Sequence, residues 1–338
     1  MKRINIFALL LSLYTLGCKE NKGNSEQPIT DNLGRGTSMP QREDLVNTYS
    51  EVPEVSAIIR AGDSGIAVYT LCQQRYTEQL AALKKESDDL GAKLIITILT
   101  PEIGEAVTAS TRLGVPFIIN AGKKQGIEVY DLTNPMAKYT SKQITQMPVD
   151  GHWSAAGAKI IAEQYQTIIE SKKEYHSTKT FTDKERPQTF GDLDPNQDAA
   201  LDGGKGIPYQ LITNSQGLRM NYALTFPKTK QRILFLGDSQ LYSPFLDNGQ
   251  ITTTLLQQQF PDKEIINAGI IGYTLDDHVA LLAQKAKFTE PDIIVLVTNP
   301  NDVGDFYFSQ RNRMSRSQKA YLPTSTEIGL YQKLFSNK

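Results

Sequence analysis

The chain has 338 residues, and its 36 Lys and Arg nearly balance 37 Asp and Glu, for a formal net charge of −1. That balance gives no sign of a nucleic-acid-binding surface. With two cysteines, Cys18 and Cys72, and only three histidines, a CxxC zinc or redox site is excluded.

The first twenty residues, MKRINIFALLLSLYTLGCKE, have the layout of a secretory signal: Lys2 and Arg3 precede an apolar run from Ile4 to Leu16. The run is too short to span a bilayer as a helix, which takes ~20 apolar residues. Gly17-Cys18 resembles a bacterial lipobox. That implies a signal peptide over 1–18, lipidation of Cys18 and a lipid-anchored protein of the cell envelope; an ordinary signal peptide is the alternative. Cys72 would then be the last thiol, and no intrachain disulfide is expected. Residues 19–50 are polar and rich in Gly, Asn, Ser and Pro, as in a flexible tether.

Further on, RYTEQLAALKKESDDLG (75–91) has helical periodicity and a Gly stop. AKLIITILT (92–100) is a continuous β-branched run, as expected of a strand buried on both faces. GIEVYDL (126–132) reads as a second strand, and SAAGAKIIAEQYQTIIES (154–171) as an amphipathic helix capped by Ser154. A polar connector, 172–230, follows, with YQLITNSQGLRMNYAL (209–224) as a candidate hairpin. Strands are expected again at 231–237, 263–269 and 291–299, with helices near 249–259 and 275–289. Two strands in one half and three in the other make one doubly wound sheet together and none apart. The expectation is a single α/β/α sandwich domain over 51–338, with a five-stranded parallel sheet built from 51–171 and 231–338.

Three strands end in polar or glycine-rich turns. The first gives Gly237-Asp238-Ser239, at the edge where open α/β sheets bind ligands; a helix-capping serine explains that turn equally well. The second gives Gly269 and Gly272, and the third Asn299, Asn301 and Asp302. Glycine admits close approach of the backbone N–H, and a side-chain amide can donate to an oxyanion. A serine nucleophile also needs a base and a carboxylate to orient it. Asp150-Gly151-His152-Trp153 supplies both ahead of a helix. His176 sits in the connector and is expected to be solvated. His278, with Asp276, falls in the first turn of a helix, where residues two apart point to different faces.

GDSQ, NAGIIGYT, NPND and DGHWSAAG resemble, in turn, the first, second, third and fifth blocks of the SGNH/GDSL hydrolase superfamily, over most of 66–338. The resemblance implies a flavodoxin-like fold with Ser239 as nucleophile, His152 as base and Asp150 as its orienter. It makes the N–H groups of Ser239 and Gly272 and the side chain of Asn301 the oxyanion hole. It also implies hydrolysis of small acyl esters, acetyl groups on carbohydrate among them, with no metal or organic cofactor. An O-acyltransferase using the same residues, or a non-catalytic envelope lipoprotein, are the other readings. Two departures stand out: one residue separates Asp150 from His152 where the family has two, and Pro300 replaces the glycine before Asn-Asp. The Asp/His block also comes first instead of last, which implies a circular permutation cut between the third and fourth strands. This order resembles the SGNH-like domain of periplasmic alginate O-acetylation enzymes, most closely over 75–170.

Other stretches compete for attention. Gly62-Asp63-Ser64 is a second GDS, but too few residues separate Ser64 from His152 to hold the βαβ units of a doubly wound sheet, at ~30 residues each. Asp192, Asp194, Asn196 and Asp198 alternate as in a calcium loop. Gln197 stands where that loop turns on glycine and Gly203 where it ends in Glu, so a solvated acidic loop is expected. The basic run QRNRMSRSQK (310–319) reads as a solvated loop, or as a grip on an anionic glycan. Exchange of halves between two chains is an alternative to permutation.

Overall fold

The computed structural model describes residues 63–103, 109–202 and 204–304. The signal segment with Cys18, the tether, Gly62, the basic run 310–319 and the C-terminal segment 326–338 lie outside the described residues. In chain order the elements are α1 (Asp63–Asp89), β1 (Lys93–Ile98), α2 (Ala109–Lys124) and β2 (Glu128–Asp131). The single turns α3 (Thr133–Met136) and α4 (Ser141–Ile144) follow, then α5 (Ala155–Glu170), β3 (Asp198–Leu201) and β4 (Tyr209–Ile212). Next come β5 (Gln231–Gly237), the single turn α6 (Ser239–Tyr242), α7 (Thr252–Gln259) and β6 (Lys263–Asn267). The last are α8 (Leu275–Gln284), a 3-10 turn (Ala286–Thr289) and β7 (Ile293–Thr298).

The five expected strands form one parallel sheet in the order β2-β1-β7-β5-β6. Counted from β5, that is the doubly wound order 2-1-3-4-5 of flavodoxin-like sheets. The third and fourth strands of that count, β7 and β1, lie side by side in direct register, Ile95 opposite Val295. This is the permuted strand order that the block order implied.

Alternation along the strands builds two cores. Leu94, Ile96, Ile98, Leu234, Leu236, Ile294 and Leu296 face Cys72, Tyr76, Leu80 and Leu83 of α1, Leu113 and Ile118 of α2, and Leu281 and Leu282 of α8. Ile95, Ile233, Phe235, Ile293 and Val295 face Ile161, Tyr165 and Ile168 of α5 and Leu256 of α7. Each fully buried Leu, Ile or Phe contributes roughly 1.5–3 kcal/mol, so the strands that read as continuous apolar runs are those held on both faces. Helices on both sides make three layers.

The connector departs from the expectation. The hairpin is not 209–224: β4 pairs antiparallel with β3, Ala199 opposite Leu211, so its other strand is the acidic stretch read as a loop. Several large apolar residues of the connector are buried, among them Phe190, Leu218, Met220 and Leu224 in the first core. The first helix also begins at Asp63, well before residue 75. Among the described residues no helix is long and apolar enough to cross a membrane.

Candidate active site

The site is built where β5, β6 and β7 end. Gly237 closes β5, and a Cβ there would meet Leu241 Cβ at 2.8 Å and Val297 Cβ and O at 3.0 Å. Only glycine lets the chain turn this sharply into α6. Asp238 then caps the turn, its carboxylate accepting from Gln240 N at 2.8 Å and from Asn299 Nδ2 at 2.9 Å. The helix-capping role weighed for Ser239 thus falls to Asp238. Ser239 is the first residue of the turn and 2% exposed, and its Oγ has no hydrogen-bond partner among the described residues.

The second and third turns close around it. Ile270 N donates to Gly237 O at 3.0 Å, which brings the β6 loop against the end of β5. Gly272 has a φ of 76°, and the space where its Cβ would stand is open. After β7, Asn299 is committed to Asp238, and its Oδ1 accepts from Asn301 N at 3.1 Å. Asp302 accepts from Thr298 Oγ1 at 2.7 Å and Asn299 N at 3.1 Å. Asn299 and Asp302 shape the loop, and Asn301, the oxyanion donor expected from the sequence, is half-buried beside them.

The Asp150–His152 pair comes from the other half. Its loop folds back on itself: Gln146 N donates to His152 O at 2.8 Å and Ser154 N to Ile144 O at 3.0 Å. Trp153, fully buried, bridges Thr145 and packs under the sheet with the second core. Ser154 caps α5 by accepting from Gly157 N. A Cβ on Gly157 would lie 2.0 Å from Ile144 O, so the start of α5 can rest on that carbonyl only because position 157 is glycine. Within this frame Asp150 Oδ1 holds His152 Nδ1 at 2.5 Å and His152 N at 2.9 Å. One intervening residue is enough because the carboxylate reaches both the ring and the backbone of His152.

One contact sets the imidazole next to the segment that follows Ser239: the His152 ring packs edge-on against Phe245, just past α6, with centroids 6.1 Å apart. Burial pushes Asp238 up to about 6, against the opposing pull of the Gln240 N–H, His152 and the Asn299 amide. Burial also works to raise Asp150. There the hydrogen bonds and charge of His152, with a smaller contribution from Lys205 at the β3–β4 turn, outweigh it and hold the carboxylate below its ordinary value.

The rival residues go elsewhere. His278 is buried on α8, on the opposite face of the sheet from Trp153, where its ring meets Tyr273 and its backbone N–H donates to Thr274 O. His176 is exposed. Ser64 lies in the first turn of α1, about 18 Å along the axis from Tyr76, whose hydroxyl meets Thr298 at the end of β7. Asp192, Asp194, Asn196 and Asp198 are exposed: Asp192 accepts from Tyr273 and Lys285, and Asp198, inside β3, from Gln210. No group of three or more His, Cys, Asp or Glu among the described residues is placed to hold a metal ion. Sequence reasoning missed Phe245, Lys205 and the residues that hold the Ser239 turn from behind.

No family model matches the chain, and no curated protein matches it. Among solved structures, the O-acetyltransferase domain of Pseudomonas putida AlgJ is similar at a TM-score of 0.47 and 15% identity, over 79% of this chain and 92% of that one. Pseudomonas aeruginosa AlgX is similar at a TM-score of 0.36 and 14% identity, over 68% of this chain and 61% of that one.

Proposed function

We propose that the chain is a serine-dependent enzyme of small acyl esters, acetyl esters of carbohydrate foremost. The observation that supports this reading is the bonded Asp150–His152 pair, whose ring packs against Phe245 in the segment that follows the buried Ser239. His152 takes the Ser239 Oγ proton as the oxygen attacks the acyl carbonyl, and Asp150, kept ionised, stabilises the imidazolium that forms. The N–H groups of Ser239 and Gly272 and the Asn301 amide receive the oxyanion. Collapse returns the proton to the departing alcohol and leaves an acyl-Ser239 ester. Water, deprotonated by His152, then releases the acid. This chemistry requires no metal or organic cofactor.

Transfer to a sugar hydroxyl is the second reading, and burial favours it. Ser239 is 2% and His152 7% exposed, so a fitted acceptor competes well with water for the acyl-enzyme. An exported, lipid-anchored location through Cys18 belongs to the same proposal; incorporation of a palmitate analogue, abolished by Cys18→Ser, tests it.

Trapping with a fluorophosphonate followed by peptide mapping tests the chemistry. The adduct is expected on Ser239 and is expected to be lost in His152→Ala protein. An adduct on Ser64, or trapping indifferent to His152, overturns the proposal. Comparing acid released with acyl groups transferred to added oligosaccharide then decides the acceptor.

A further inference from the structure

Arg219, in the connector, is 1% exposed, and its side chain is aimed at the segment that follows Ser239. Nε donates to Asn248 Oδ1 at 3.0 Å, Nη1 to Tyr242 O and to Ser243 O at 3.0 Å, and Nη2 to Leu246 O at 2.5 Å. The guanidinium also lies over the rings of Tyr242 and Tyr209, at 4.6 and 5.6 Å. These hydrogen bonds all end on neutral oxygens. A buried cation spent this way is costly, and burial duly pulls Arg219 below the ordinary arginine value.

What the cation holds is a strained stretch. Ser243 (φ 57°) and Phe245 (φ 67°) both sit in the left-handed region, which side chains disfavour and which persists only where the surroundings enforce it. Asn248 completes the clamp: it accepts from Arg219 and Ile212 N and donates to Ile212 O at 2.7 Å, tying the stretch to β4. The enforced geometry ends on the site, because Phe245 is wedged between the rings of Tyr209, at 6.0 Å, and His152.

We infer that Arg219 is a positioning residue: by clamping the carbonyls of Tyr242, Ser243 and Leu246, it sets the Ser239 turn and the Phe245 ring against which His152 is registered. This rests on the proposed role of Ser239. A misplacement of about 1 Å in such a pair costs on the order of 100-fold in rate. Arg219→Ala is therefore expected to lower kcat for p-nitrophenyl acetate, and the rate of fluorophosphonate trapping, about 100-fold with KM little changed. Arg219→Lys should not recover it, since an ammonium cannot present the planar fork to these carbonyls. Millimolar guanidinium should restore trapping in Arg219→Ala and not in Ser239→Ala.

Should Arg219→Ala fail to fold, Asn248→Ala keeps the cation while removing one anchor, and about a 10-fold loss in kcat at unchanged KM is expected. Trapping at the wild-type rate in a folded Arg219→Ala or Asn248→Ala protein, or a loss that guanidinium does not reverse, overturns the inference alone. Absence of any Ser239 adduct in wild-type protein overturns it together with the nucleophile assignment.

Discussion

The two edges of the sheet handle buried charge in opposite ways. At the edge where the strands begin, acids are matched with bases. Asp292, 1% exposed, accepts from Lys228 Nζ at 2.8 Å and from the backbone N–H groups of Ser177 and Arg232, each at 2.7 Å. Glu290 pairs with Arg186, Arg232 with Glu264, and Glu128 with Lys93 and Lys172. At the edge where the strands end, Asp238 is capped by the neutral donors Gln240 N and Asn299 Nδ2. The Ser239 hydroxyl has no hydrogen-bond partner among the described residues, and Asp150 is bonded to a histidine. Groups that are fully matched hold a fold, whereas reactive groups must be left in want of something.

The comparison is broken most directly by removing charge from the edge where the strands end without altering shape. Asp150→Asn keeps the volume but can no longer fix the imidazole tautomer or stabilise its cation, and kcat is expected to fall about 10⁴-fold. Steady-state hydrolysis of p-nitrophenyl acetate measures it. A loss below tenfold would mean that His152 takes its orientation from the backbone bonds of its loop instead. Next in size is Asn301→Ala, which deletes one proposed donor to the oxyanion and is expected to cost ~10²–10³ in kcat with KM nearly constant. If KM rises while kcat holds, the amide binds substrate in its ground state.

Asp292→Ala probes the other edge. It leaves two backbone N–H groups without their acceptor and the Lys228 ammonium with only the carbonyls of Ser177 and Glu290, and a broken buried pair costs about 3–5 kcal/mol. For a chain of this size that lowers Tm by roughly 10 °C. Trapping of Ser239 per folded molecule should stay at the wild-type rate. A stable variant with impaired trapping would mean that the two edges are coupled through the sheet.

Much of this architecture was written locally. A strand buried on both faces has little choice but to be continuously apolar, so AKLIITILT, ILFL and IIVLV announced themselves, and with them the edge where the turns converge. The Asp150–His152 bond is also local, spanning a single glycine. What escaped depends on distance along the chain. β3 reads as an acidic loop because only its pairing with Tyr209–Ile212 makes it a strand. His278 and His152 share the Asp-x-His spacing; a helical first turn already counted against His278 in the sequence, and the structure adds that their helices cover opposite faces of the sheet. Arg219 stands among ordinary residues in GLRMNYAL, and nothing nearby tells that its partners are the carbonyls of residues 242, 243 and 246.

The finest test of the two edges is the sign of their response to pH. Asp238 has its folded value raised from 3.8 to about 6 by burial, so the folded chain holds that proton more tightly than the unfolded one. The stability it confers is complete below about pH 4 and is lost as pH rises through 6, a change of about 3 kcal/mol for two units. Glu128 is the reverse. Burial works to raise it, but the bonds from Lys172, Lys93 and Tyr130 prevail and carry it from 4.5 down to about 2. Its contribution is present above pH 4.5 and drains away as pH falls toward 2. Melting curves of Asp238→Asn and Glu128→Gln against wild type separate the two. Wild type should lose stability relative to Asp238→Asn between pH 4 and 6 and keep a constant gap above that. Relative to Glu128→Gln it should lose stability only on acidification below 4.5. Parallel curves for Asp238→Asn and wild type across pH 4–6 would show that the carboxyl beside Ser239 is no more perturbed than those paired at the far edge, and the contrast between the edges would fail at its most sensitive point.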